Sequence, residues 1–175
     1  MTNPFPDLAL PEGVSPGKLG RSEVEALLEL RLIASLATLD ERGGVHLAAM
    51  WYRREGDTLL LPTSRHTRKA RNLRRRAHAA VMVDQSRDGL DLRGVLIRGA
   101  VDLIEGEAAT VLNRSVHLRY VTEQGLADPE VAGYLSAGDD LTIRVHMNEI
   151  ATWNLADRPA GRALRAGGHV HPLDT

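Results

Sequence analysis

Two short turns set close together limit this chain's fold more than any other feature. Residues 40–44 (DERGG) and 55–57 (EGD) separate three strand-like runs with no helix between them. The first run, residues 32–39 (LIASLATL), is apolar throughout, as a buried strand is. Residues 45–54 (VHLAAMWYRR) and 58–61 form the second and third. Strands joined this tightly pair antiparallel, because a parallel crossover needs a dozen residues or more. Gly43 and Gly44 supply the backbone freedom that the first turn requires. The chain therefore starts as an antiparallel meander and not as a wound βαβ sheet.

The meander stops at Pro62, and the character of the chain changes over residues 59–84 (LLLPTSRHTRKARNLRRRAHAAVMVD). Thr67 stands where an N-cap hydroxyl belongs, ahead of a run of good helix formers. Ala70, Leu73 and Ala77 fall at i, i+3 and i+7, which gives this helix one narrow apolar face, and residues 79–83 read as the next buried strand. Arg65, His66, Arg68, Lys69, Arg71, Arg74, Arg75 and Arg76 gather at its start and outer side. A helix start offers unpaired N–H groups and the positive end of a dipole, so Arg68 and Lys69 there suit a bound phosphate. By charge alone, the same run equally describes a solvated basic helix face.

Further along, residues 92–104 form a long strand in which Gly94 and Gly99 mark bulges or a close approach of another group. A helix over 107–120, a short helix over 129–135 and strands over 141–146 and 149–155 follow. Ser22 and Glu25 have capping-box spacing, and Val24, Leu27 and Leu28 give a first helix its apolar stripe, ending near Arg31. The strand-like runs number six or seven. Together they predict a mainly β fold, a partly open six-stranded antiparallel barrel with flanking helices, bent closed where glycine permits. One domain over 21–156 sits between a proline-rich arm, residues 1–20, and a Gly/Arg/His tail, residues 157–175.

Composition excludes several functions. The net charge of −1 and the lack of aromatics among the arginines argue against nucleic acid. Without cysteine there is no disulfide or thiolate metal site, which suits a cytoplasmic protein. No apolar run approaches a membrane span. No nucleophile elbow, Walker loop or G-x-G-x-x-G motif occurs, and His169 and His171 lack a third metal ligand, so neither a catalytic set nor a metal site is expected.

The segment Thr63-Ser-Arg-His-Thr-Arg68-Lys69, after a strand and before a helix containing Asn72-Leu73, resembles the phosphate-binding segment of the pyridoxamine 5′-phosphate oxidase-like split-barrel flavoproteins. That group includes the deazaflavin (coenzyme F-420) dependent reductases, and the resemblance covers about residues 22–154 in element order. It implies a homodimer holding FMN or coenzyme F-420 at its interface and passing a hydride to or from a small organic substrate. Thr63, Arg68 and Lys69 would hold the phosphate, with Thr67 and Asn72 supporting. Ala48, Ala49, Met50 and Trp51 would lie under the ring, although the nearest-looking members often carry a proline before the hydrophobic-Trp pair. Trp153 would line the pocket from either subunit; core packing is the alternative for it. Arg93 and Arg98 could reach the cofactor or substrate, while His46 and His66 flank the region. Arg65, Arg71 and Arg75 suit the polyanionic tail of the deazaflavin. Vitamin B6 oxidation is not suggested, because the tail lacks the basic substrate segment. Hydride transfer is the cofactor's chemistry, so no triad is needed. A non-catalytic carrier of flavin or haem on the same fold is the alternative.

Overall fold

The run at residues 45–54 does not form one strand. In the computed structural model, which describes residues 17–86, 89–135, 138–155 and 158–171, β1 (Ala34–Leu39) pairs antiparallel with β2 (Val45–Met50). The chain then leaves that ladder at Trp51 and Tyr52, and β3 (Arg53–Glu55) pairs with β4 (Thr58–Ser64) instead. A break in mid-strand leaves backbone groups without ladder partners. The phenol of Tyr120 takes up this role: its oxygen accepts from the Tyr52 N–H at 3.3 Å and donates to the Leu32 carbonyl at 2.7 Å. The Tyr52 ring is fully buried, and its own hydroxyl donates to the Leu30 carbonyl at 3.1 Å.

This break divides the sheet into two halves, and the long β6 (Arg93–Glu105) joins them again. Its first part pairs with β5 (His78–Gln85) on one side and β8 (Glu149–Asn154) on the other. Its last five residues pair with β7 (Asp140–His146), which in turn pairs with β4. At the changeover, a Cβ on Gly99 would overlap the carbonyl oxygen of His146, so only glycine fits the crossing. The result is an antiparallel sheet curled into a half-barrel. Among the described residues it has eight strands and not the expected six: all seven strand-like runs form strands, and the second of them is two.

The inner faces of both halves share one core. Leu36, Val81, Val83, Val95 and Ile97 come from one half, and Leu59, Leu61, Ile143 and Val145 from the other. Three helices seal it: α1 (Arg21–Glu29) through Val24, Leu27 and Leu28, α2 (Arg68–Arg75) through Ala70 and Leu73, and α3 (Glu107–Tyr120), which packs on β4 and β7. As expected, Thr67 caps α2, accepting from the Ala70 N–H. Two short helices, α4 (Glu123–Ala127) and α5 (Pro129–Leu135), follow α3, and only the second was legible beforehand. Within the expected C-terminal tail, Pro159–Ala166 form α6. Residues 1–16 of the expected arm lie outside the described residues, while residues 17–20 run beside β8, where the Leu19 side chain is buried.

Tyr120→Phe removes the hydroxyl that serves both sides of the break. The loss of a donor and an acceptor for buried backbone groups should cost about 1–3 kcal/mol. A urea midpoint equal to wild type would mean that water serves the Tyr52 N–H equally well.

Candidate functional site

A cavity of about 630 Å³ opens where the strand break, the start of α2 and one side of α3 converge, a volume ordinary for a cofactor or small ligand. Its floor is Ala49, Met50 and Trp51, the residues that end β2 and enter the break. Pro62, Thr63 and Ser64 at the end of β4 form a second side, and Tyr134 and Leu135 of α5 overhang it.

One end gathers two hydroxyls, a helix start and a cation. The Thr63 and Thr67 hydroxyls are 3.3 Å apart, and α2 begins there with Arg68 and Lys69, whose N–H groups lie before the first intrahelical acceptor. The Lys69 side chain lines the cavity, half-buried, and makes no hydrogen bond or ion pair among the described residues. Burial lowers its pKa below the usual lysine value. An unpaired ammonium drawn partly out of water gains most from an anionic partner.

Arg68 turns the other way. Its exposed guanidinium lies 3.1 Å from Asp40 on the first hairpin, within a shallow cleft of about 380 Å³ also lined by Arg71 and Arg75. The Gly44 N–H, followed by the Arg42 N–H and Arg68 itself, keeps Asp40 below the ordinary carboxylate value, although partial burial opposes this. Asn72 is buried and donates to Thr38 Oγ1 at 3.0 Å, which ties α2 to β1. Ala48 points to the core side of β2, and Trp153 lies on β8 with its indole over Gly94. The cavity thus brings together Ala49, Met50, Trp51, Thr63, Thr67 and Lys69, and leaves Ala48, Arg68, Asn72 and Trp153 outside it. His46, beside the two cations, is held below the usual histidine value by burial and then by Arg68 and Lys69. Arg98 is exposed near Glu149 on the far strands, and neither it nor Arg93 lines the cavity.

The third side was not foreseen. Asn113 and His117, one turn apart on α3, face the cavity although both are buried. Asn113 donates to Asp140 Oδ1 at 2.9 Å and accepts from the Thr142 hydroxyl at 2.8 Å, while Thr110 holds the other Asp140 oxygen at 2.8 Å. Asp139 accepts from the Ser64 hydroxyl. The His117 ring meets the Trp51 indole edge-on at 5.9 Å, and that indole stacks on Tyr120 at 5.0 Å with 3° between planes. A signal existed in the sequence: two polar residues four apart on a helix side otherwise made of Ala109, Val116 and Tyr120.

Burial depresses the His117 pKa below its ordinary 6.5, against a smaller opposing pull from Asp140. The unfolded chain therefore takes up a proton that the folded ring resists. This group costs no stability above pH 6.5 and destabilises the fold as pH drops from there toward the lowered folded value. His117→Phe should lose less stability than wild type between about pH 7.5 and about pH 5.5 in urea titrations. Identical losses would show that this ring is not a source of the acid sensitivity.

Comparison with known proteins agrees with this architecture. A solved structure of a conserved hypothetical protein from Mycobacterium tuberculosis is 24% identical, with a TM-score of 0.67 over 82% of this chain and 90% of that one. An F420 reductase is also 24% identical, with a TM-score of 0.57 over 73% and 94%. A FAD and heme binding protein from Mycobacterium smegmatis is 19% identical, with a TM-score of 0.67 over 92% and 85%. Among curated proteins, none matches. These likenesses show the fold. The family model described as pyridoxamine 5′-phosphate oxidase matches residues 21–154, so the chain belongs to that family.

Proposed function

We propose that this protein is a flavin- or deazaflavin-dependent oxidoreductase that moves a hydride between FMN or coenzyme F-420 and a small organic substrate. The observation that carries the reading is the unpaired, half-buried Lys69 at the start of α2, facing the same cavity as the Ala49–Met50–Trp51 floor. Lys69, the Thr63 and Thr67 hydroxyls and the first N–H groups of α2 would hold the phosphate. The small Ala49 leaves room for a planar ring, and Trp51 and the α5 overhang exclude water. The bound cofactor supplies the redox chemistry itself. Arg65 and Arg71 donate to the carbonyls of Gly138 and His66, whereas Arg68, Arg74 and Arg75 face Asp40, Glu105 and Glu41. The charges of Arg65 and Arg71 are thus the ones open to a polyanionic tail.

A homodimer belongs to the same proposal. By strand register, Ala49, Ser35, Met82, Leu96 and Ala151 form a row across the outer face of β2, β1, β5, β6 and β8. Beside them, Val45 and Leu47 are 66% and 67% exposed on β2, an edge strand of the sheet. An apolar, largely small-residue face on an open edge calls for a covering partner. Ala49 belongs both to this face and to the cavity, so a second copy seated there would complete the site. Trp153 shares the face, which would bring it near the site only through such pairing.

Lys69→Met should weaken FMN or coenzyme F-420 binding about 10- to 100-fold, the loss of one charge-assisted contact. Arg68→Ala should cost only a several-fold change, since its charge is already engaged at the surface. Fluorescence titration reads both, and equal affinity of Lys69→Met and wild type would remove the phosphate assignment. Leu47→Asp should yield a monomer by sedimentation with cofactor binding weakened at least about tenfold; a dimer with unchanged affinity would place the interface elsewhere. Turnover of the loaded protein with reductant and acceptor separates an oxidoreductase from a carrier.

A further inference from the structure

We propose that His117 is a ligand-contacting residue that hydrogen-bonds a neutral acceptor group of the small molecule occupying the α3 end of the cavity. This deepens the cofactor reading and rests on it for which molecule lies at the opposite end. Only 6% of His117 is exposed, and the ring lines the cavity with no side-chain hydrogen bond to another described residue, so what its nitrogens reach is the cavity itself. Around it the polar groups are matched: Asn113 with Asp140 and Thr142, Thr110 with Asp140, and Ser64 with Asp139. A ring nitrogen that opens only into a cavity meets water there, and a ligand that displaces this water gains by offering it a polar group.

The ring is also held in place before any ligand binds. Its edge contact with Trp51, itself stacked on Tyr120, fixes it from one side, and the clamped Asn113 anchors the helix one turn earlier. Such support lets a weak donor select its partner. A neutral imidazole offers one donor and one acceptor. Asp140, bonded to Thr110 and Asn113 of α3, lines the same end, so a carboxylate or phosphate entering there would meet a like charge, while Lys69 lines the cavity from α2. Ile33, Pro62 and Leu135 line the space between, which suits an apolar body. The cavity therefore orients its contents: the anionic group at α2, and an uncharged hydrogen-bonding group at α3.

Benzamide and benzoate, nearly identical in shape, test this on the full-length protein, with and without saturating FMN. Benzamide should shift the ring resonances of ¹⁵N-labelled His117, and His117→Phe should weaken it about three- to tenfold, the worth of one neutral hydrogen bond. His117→Gln, which keeps a donor, should restore part of that loss. With saturating FMN covering Lys69, benzoate should bind wild type at least about tenfold more weakly than benzamide, and Asp140→Asn, which leaves His117 intact, should narrow the gap. Unmoved His117 resonances at saturating benzamide, wild-type affinity in His117→Phe, or equal binding of benzoate would each overturn the assignment. FMN titration of the same samples reads the phosphate end separately, so failure there leaves the α3 result standing on the unloaded protein.

Discussion

The whole arrangement turns on one hydroxyl. A strand that leaves its ladder in mid-course exposes an N–H and a carbonyl that must be satisfied. Tyr120 reaches from the end of α3 to the break, accepting from the Tyr52 N–H and donating to the Leu32 carbonyl. This contact lets the meander change halves, pins α3 across the opening and stacks Trp51 against the same phenol. Floor and wall of the cavity are thus consequences of a single backbone problem and its solution.

Electrostatics then divides the space. Two neighbouring cations on α2 have opposite fates: Arg68 finds Asp40 on the hairpin, and Lys69 is left to the cavity. Adjacent helix positions point about 100° apart, so one turn of helix cannot aim both at the same point. On the α3 side, Asp140 is held by hydroxyl and amide donors with no cation paired to it among the described residues. A cavity with an ammonium on its α2 side and a carboxylate on its α3 side imposes a direction on its contents before any specific contact forms.

The outer sheet face links the fold to the proposed site. Alternation along β2 sends His46, Ala48 and Met50 inward and Val45, Leu47 and Ala49 outward. The outward set is apolar on an open edge, and its last member borders the cavity. Gly94 serves the same face, because a Cβ there would collide with the Trp153 indole. Assembly and ligand binding are therefore coupled by strand geometry in the proposed dimer.

The turns at 40–44 and 55–57, the capped basic helix and the glycine-marked long strand were legible in the sequence. Turn chemistry, capping and burial periodicity act over a few residues, and they sufficed for the antiparallel half-barrel and for placing Thr63, Thr67 and Lys69 together, where the structure has them lining one cavity. The break at Trp51–Tyr52 was not legible, since its cause is a hydroxyl 68 residues away. The same holds for the separation of Arg68 from Lys69, decided by the location of Asp40, and for Trp153, which lies over Gly94 and not in the cavity of its own chain. His117 and Asn113 carried a local mark as polar residues on an apolar helix side, but only the packing of α3 on β4 and β7 turned that side toward a ligand space. Local pattern determined which elements form; long-range packing decided which side chains meet, because contacts between distant segments depend on how the sheet curls.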